Sequence, residues 1–183
     1  MGSMAAVEML TREDLDRMPD DGNRYELIEG EIVVAPSPRS RHQVVLARLF
    51  RLLDDACPPG LMVLFAPLDV QLEEHSVVEP DLIVFDESAL GERGLATAPL
   101  LAVEILSPST RSLDLVRKKR LYERTGVASY WVVDPGDADD DVSMTAWELR
   151  EGRYAALAAV GGDEEWSATV PFEVTVVPSD LAR

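Results

Sequence analysis

Two runs of the sequence are almost continuously apolar, and they constrain the fold more than any other feature. One is VVEPDLIVF at 77–85 and the other is LLAVEIL at 100–106. A strand with one solvated face alternates apolar and polar residues, whereas a strand covered on both faces is apolar throughout. The two runs therefore predict a sheet with packed layers on both of its faces.

Helical and extended segments surround these runs. The predicted helices are 8–20, 40–56 and a segment from Ser112 or Asp114 to about Arg124. The other predicted strands are a hairpin within 24–38 turning at Glu29-Gly30, 61–72, 129–135, a hairpin of 142–149 and 153–160, and 169–177. This order of elements indicates an α/β or α+β domain, in which helices pack on a mixed sheet.

Length and composition bound the organisation of the chain. Because 183 residues suit one domain with a sizeable core, we expect a single domain over 1–183, with residues 1–7 disordered or vector-derived. The only cysteine is Cys57, which excludes an intramolecular disulfide framework and favours a cytoplasmic location. No apolar run reaches eighteen residues, so no membrane span is expected.

The charge distribution bears on the choice of partner. A formal net charge of −17 argues against nucleic acid, because phosphate backbones recruit lysine and arginine. The segments 39–53 and 111–124, however, together carry a net charge of +8 and leave −25 on the rest. The local field steers a ligand, so the net charge alone does not decide against nucleic acid. The alternative interpretation is a pair of solvated helix faces.

Each of the two apolar runs has a carboxylate near its middle, Asp81 in one and Glu104 in the other. Burying an ionised carboxylate without a partner is costly, so each requires a cation, a hydrogen-bond donor or a metal. Alternation places Asp81 on the face of Glu79 and Ile83. Carboxylates side by side on neighbouring strands would suit Mg²⁺ or Mn²⁺. Pairing with buried arginines is the alternative.

The third predicted helix adds a lysine to these carboxylates. Asp114, Lys118 and Tyr122 are spaced by four residues and share one helix face, while Lys119 points about 100° away. A lysine beside metal-bound carboxylates can orient a water nucleophile and stabilise charge on a phosphoryl group. Alternatively, Asp114 and Lys118 form an ordinary helix ion pair.

Five motifs occur in order along the chain. They are YELIEGEIV, EPDLIVF, AVEILSPST, the helix with Asp114, Lys118 and Tyr122, and GVASYWVVDP. With Pro80-Asp81, the strand glutamate and the lysine, they resemble the Uma-two family of restriction-endonuclease-like proteins, within the PD-(D/E)xK nuclease superfamily. The resemblance covers roughly residues 24–160, which we take as the core.

The resemblance implies a core of order α-β-β-β-α-β, with an N-terminal hairpin and a C-terminal β extension. It implies a Mg²⁺-dependent or Mn²⁺-dependent endonuclease that hydrolyses DNA, with Asp81, Glu104 and Lys118 as catalytic residues and the two carboxylates as metal ligands. One departure concerns the lysine, which usually follows the glutamate by two residues, where this chain has Leu106. Lys118 matches the position found in the Uma-type helix, and Lys119 is the second choice.

Several further residues are candidates for the same site. His42 resembles a histidine common at that point in the family, and would contact a phosphate or a metal-bound water; a capping or surface histidine is the alternative. Glu26 alternates with apolar neighbours and either reaches the metal or pairs with Arg24. The predicted nucleic-acid contacts are Arg39, Arg41, Arg111 and Lys119.

A second function fits the same sequence. The missing lysine at 106 and the acidic remainder favour a catalytically inactive nuclease-fold module, which would bind nucleic acid or assemble with protein. A homodimer is also expected, because nucleases that cut both strands often pair their sites across a two-fold axis.

Overall fold

Two six-stranded sheets organise the structure, a computed structural model that describes residues 9–35, 37–107 and 111–183. The helical elements are α1 (Arg12–Leu15), α2 (Ser40–Ala56), a π-helical segment (Leu113–Lys118), α3 (Lys119–Thr125) and 3₁₀ turns at Glu87–Ala89, Asp139–Asp141 and Pro178–Leu181. The strands are β1 (Arg24–Ile28), β2 (Glu31–Ala35), β3 (Leu61–Phe65), β4 (Val70–Glu73), β5 (Ser76–Val78), β6 (Leu82–Asp86), β7 (Leu90–Gly91), β8 (Gly94–Leu95), β9 (Leu101–Ile105), β10 (Ser129–Asp134), β11 (Ser143–Arg150), β12 (Arg153–Gly161), β13 (Trp166–Ala168) and β14 (Val174–Val176).

The central sheet has the order β12-β11-β10-β9-β6-β3. Strands β9 and β10 are parallel, and the π-helical segment and α3 form the crossover that a parallel pair requires. The other neighbouring pairs of this sheet are antiparallel. The sheet is therefore mixed, which confirms the predicted α+β class.

Apolar layers cover the central sheet on both faces. On one face, Leu49 of α2 packs into a core that includes Val103 of β9. On the other, Tyr122 of α3 and Val78 of the second sheet, of order β2-β1-β5-β4-β8-β7, pack with Ala102 of β9. Successive residues of β9 thus enter opposite cores, which explains why its sequence is apolar throughout.

Two of the predicted strands are each divided between the sheets. The run 77–85 forms β5 in the second sheet and β6 in the central sheet, and the run 61–72 forms β3 and β4. Predicting each run as a single strand was wrong. Pro80 and Pro67 lie at the breaks, where a residue without a backbone N–H cannot continue a ladder.

The ends of the chain differ most from the predicted elements. The helix predicted over 8–20 spans only Arg12–Leu15, after a capping box at Thr11. The strand predicted over 169–177 is reduced to Val174–Val176, which pairs with β13. The expectation for residues 1–7 lies outside the described residues.

Other local predictions are confirmed. Both hairpins turn where expected, since Glu29-Gly30 and Glu151-Gly152 have positive φ values. Gly126, with φ of +89°, ends the third helix, although the π-helical segment within it was not anticipated. Among the described residues, we find no helix whose length and apolar character would let it span a bilayer.

Candidate active site

The two predicted metal-binding carboxylates lie opposite each other at one end of β6 and β9. The antiparallel register pairs Leu82 with Val103, so Asp81 and Glu104 are the next pair along. Asp81 directly precedes β6 instead of lying within a strand. Its Oδ2 accepts a hydrogen bond from the backbone N–H of Ile105 at 2.7 Å. This bond fixes the carboxylate of Asp81 against the end of β9.

His42 reaches Asp81 from the first turn of α2. Its Nε2 lies 3.2 Å from Asp81 Oδ2, and both side chains are buried. Burial raises the pKa of Asp81, but the contact with His42, the N–H of Ile105 and the charge of Arg24 outweigh it and leave that pKa below its ordinary value. Asp81 is therefore ionised at neutral pH.

Lys118 lies at the centre of the remaining carboxylates. Its Nζ is 3.0 Å from Glu26 Oε1, 3.0 Å from Glu104 Oε1 and 3.8 Å from Asp114 Oδ1. The Tyr122 hydroxyl donates to Glu104 Oε1 at 2.7 Å. Lys118 ends the π-helical segment, a wider turn that is frequent at functional sites. The predicted helix face is thus the one that meets Glu104.

The charges in this cluster oppose the cost of burial. Burial alone would lower the pKa of Lys118, but Glu104, Glu26 and Asp114 outweigh it and raise that pKa, so the lysine is charged. Burial raises the pKa of Glu104 well above its ordinary value, and the neighbouring acids add to the effect while Lys118 opposes it. The cluster has more carboxylates than cations, so it favours taking up a proton or another cation.

These side chains line one cavity of about 260 Å³, which we call the site cavity. The candidate residues that it brings together are Asp81, Glu104, Lys118, Glu26, His42 and Arg39. Arg41 and Arg111 line a second cavity of about 670 Å³, which shares Arg39, His42 and Ser107 with the first. The predicted catalytic and metal-binding residues Asp81, Glu104 and Lys118 therefore line the site cavity. Of the predicted phosphate contacts, Arg39 lines both cavities, and Arg41 and Arg111 line the second one.

Lys119 is the predicted residue that the structure does not bring to the cavity. Its Nζ lies 5.0 Å from the ring centroid of Trp147 and 5.7 Å from that of Tyr154, in cation–π contacts. The difference from Lys118 follows from helix geometry, because adjacent helical residues point in different directions. Of the two lysines, only Lys118 is positioned to act with Asp81 and Glu104.

Arg24 lines the site cavity and Glu79 contacts Arg24, and the sequence did not predict either role. Arg24 Nη2 lies 3.8 Å from Asp81 Oδ1, and its Nε lies 3.6 Å from Glu79 Oε2. Arg24 therefore bridges two acids, although it was considered only as a partner for Glu26. The available signal was the alternation of β1, which puts Arg24 and Glu26 on one face.

Glu79 gives this region a pH dependence. Burial raises the pKa of Glu79 to about 7, although Arg24 opposes the shift. Between the ordinary value of 4.5 and 7, the folded state holds a proton that the unfolded state releases, so stability falls as the pH rises. We expect Glu79→Gln to match the wild type near pH 4.5 and to be more stable by about 1–2 kcal/mol at pH 8.

Urea denaturation in metal-free buffer across this pH range measures the difference for Glu79→Gln. Glu87→Gln, at an exposed position, is the matched control and should leave the pH dependence unchanged. A constant difference between Glu79→Gln and the wild type over the whole range would contradict the prediction.

The structure is a mixed α+β fold with a buried cavity lined by acids and a lysine. A crystal structure described as "a putative nuclease belonging to DUF820 from Anabaena variabilis ATCC 29413" superposes with a TM-score of 0.73 and 21% identity, covering 94% of this chain and 97% of that one. The Uma2 family, described as "Putative restriction endonuclease", has a model that matches residues 12–179. The chain belongs to the Uma2 family.

A curated relative matches part of the chain. It is the "Error-prone DNA polymerase" of Pseudomonas paraeruginosa (strain DSM 24068 / PA7), 33% identical over 114 residues. The match covers 61% of this chain and 10% of that protein. The chain therefore corresponds to about a tenth of that relative's length.

Proposed function

We propose that this protein hydrolyses phosphodiester bonds of DNA with the help of a divalent cation, Mg²⁺ or Mn²⁺. The observation that carries the proposal is the convergence of Asp81, Glu104 and Lys118 in one cavity beside arginine side chains. Membership of a family described as a "Putative restriction endonuclease" supports the nuclease class and a nucleic-acid substrate.

The donor set of the site cavity fits a hard divalent cation. Asp81 and Glu104 offer carboxylate oxygens from opposed positions, and the excess of acids over bases around them favours added positive charge. Within 9–35, 37–107 and 111–183, no three His, Cys, Asp or Glu side chains are arranged around a common metal position. Two carboxylates are sufficient for Mg²⁺, which keeps several waters and binds substrate phosphates.

Each residue of the site would have a separate role in the reaction. When bound, the cation would polarise the scissile phosphate and lower the pKa of a water. Lys118 would stabilise the charge that develops on the phosphoryl oxygens, because it is charged and close to Glu104. His42 and the N–H of Ile105 would hold Asp81 in its ionised, fixed orientation.

A second candidate function is an inactive nuclease-fold module that binds nucleic acid or a protein partner. The contacts of Lys118 favour it, since its Nζ is already surrounded by Glu26, Glu104 and Asp114 and its side chain is 2% exposed. Such a cluster would also be adequate as a purely structural ion-pair network. The module would bind its nucleic-acid or protein partner without metal, whereas the enzyme would require metal for cleavage.

Cleavage of labelled DNA with and without metal separates the two functions. We expect the wild type to cut in Mg²⁺ or Mn²⁺ and to lose that activity in EDTA. The double variant Asp81→Ala/Glu104→Ala should be inactive in either metal, whereas Asp54→Ala, an exposed control, should cut normally. Cleavage by the double variant at the wild-type rate would contradict the assigned site. Metal-independent binding without any cleavage would favour the module.

A further inference from the structure

The second cavity, beside the site cavity, combines both signs of charge. Its basic residues are Arg39, Arg41 and Arg111, and its acidic residues are Asp134, Asp137 and Asp141. The acids belong to the segment 134–141, of sequence DPGDADDD, which begins at Asp134, the last residue of β10, and which we call the acidic loop. A phosphodiester entering this groove would meet arginines that already have acidic neighbours.

Direct contacts join the acidic loop to two of these arginines. Arg41 donates from Nε to the carbonyl oxygen of Pro135 at 2.7 Å and from Nη1 to Asp139 Oδ1 at 3.1 Å. Arg111 donates from Nη1 to Asp134 Oδ2 at 2.5 Å. The loop therefore presents oxygen atoms to both guanidinium groups, as the oxygens of a phosphate would.

The loop contacts are of a kind that a phosphate can replace. The side chain of Arg111 is 55% exposed and that of its partner Asp134 is 30% exposed. The side chain of Arg41 is 29% exposed and that of its partner Asp139 is 52% exposed. Such solvated ion pairs contribute little to stability. In addition, Arg41 Nη2 is buried and has no hydrogen-bond partner in the part of the chain that is described. A phosphate group has enough oxygens to satisfy this spare donor.

We propose that Arg41 and Arg111 form a phosphodiester-binding track leading to the site cavity, and that the acidic loop 134–141 occupies this track until a nucleic-acid strand displaces it. The identity of the ligand as nucleic acid rests on the proposed function. The loop thereby lowers the affinity for phosphate chains and makes binding depend on competition with Asp134 and Asp139. The acidic loop therefore places part of the chain's negative charge directly against the basic residues of the groove.

Two double variants of the loop test this proposal. Asp134→Asn/Asp139→Asn removes the two carboxylates that contact the arginines. Asp137→Asn/Asp140→Asn removes the same charge from the same loop at positions that contact neither arginine in the structure. The probes are a short labelled single-stranded DNA and inorganic pyrophosphate, titrated in EDTA so that no metal contributes, after unfolding curves have verified that both variants fold.

We expect the first double variant to bind both probes about tenfold more tightly than the wild type, and the second to gain less than about threefold from its charge alone. Equal gains in the two variants, or no gain in the first, would overturn the proposal. Tighter binding of pyrophosphate without binding of DNA would support the masking of an anion site and count against the proposed function. Failure of the masking by the acidic loop and failure of the proposed nuclease function would therefore give different results.

Discussion

Lys118→Met is expected to lower the free energy of unfolding by about 3–5 kcal/mol, because it leaves buried carboxylates without their cation. Glu26 and Glu104 each lie 3.0 Å from Lys118 Nζ, and each is at most 3% exposed. Protonation of Glu104, whose pKa is raised by burial, relieves the repulsion. The loss should therefore be largest at neutral pH and should shrink as the pH falls towards the ordinary carboxyl range.

Lys119→Met is the matched control for this experiment. It makes the same substitution one residue further along, where the ammonium group only contacts the rings of Trp147 and Tyr154. We expect it to cost about 1 kcal/mol or less and to preserve DNA cleavage. Urea denaturation of both variants in metal-free buffer at pH 7 and at pH 5 gives the comparison. Similar losses for the two lysines would show that Lys118 does not neutralise the cluster.

The sequence was sufficient to predict which chemical groups meet, because the site depends on strand and helix periodicity. Asp81 and Glu104 lie at the ends of neighbouring strands, and Lys118 and Tyr122 share the helix face that reaches Glu104. Helical spacing, together with the resemblance to the Uma-type helix, separated Lys118 from Lys119. These relations are local, so the pattern of residue types determines them.

The sequence was not sufficient to predict relations that depend on how the chain passes between sheets. Pro80 divides an apolar run into strands of two sheets, and this division brings Arg24 of the second sheet to Asp81. The partners of Arg41 and Arg111 were missed for the same reason, since their acids lie in a distant loop. Charge counting located the basic segments but gave no sign that the acidic loop contacts them.

Glu104→Gln should have opposite effects on catalysis and on stability. We expect cleavage to fall by about 10³-fold, equivalent to about 4 kcal/mol of transition-state stabilisation, because a neutral amide is a poor ligand for a divalent cation. At neutral pH the folded protein should become more stable, because burial holds the pKa of Glu104 well above its ordinary value and glutamine carries no charge. The amide oxygen can still accept from Tyr122, and Lys118 keeps Glu26.

The response of stability to metal distinguishes a ligand from a structural acid. At a Mn²⁺ concentration of about 100 times the dissociation constant, binding to the folded wild type should add about 2.7 kcal/mol to its free energy of unfolding. Glu104→Gln should gain far less, whereas Glu87→Gln, exposed and outside the site cavity, should gain as much as the wild type. If Glu104→Gln loses cleavage but is stabilised by Mn²⁺ like the wild type, Glu104 acts with Lys118 instead of with the metal. Lys118 and Tyr122 both contact Oε1 of Glu104. If Glu104 binds the metal, we therefore expect its other carboxylate oxygen to be the ligand.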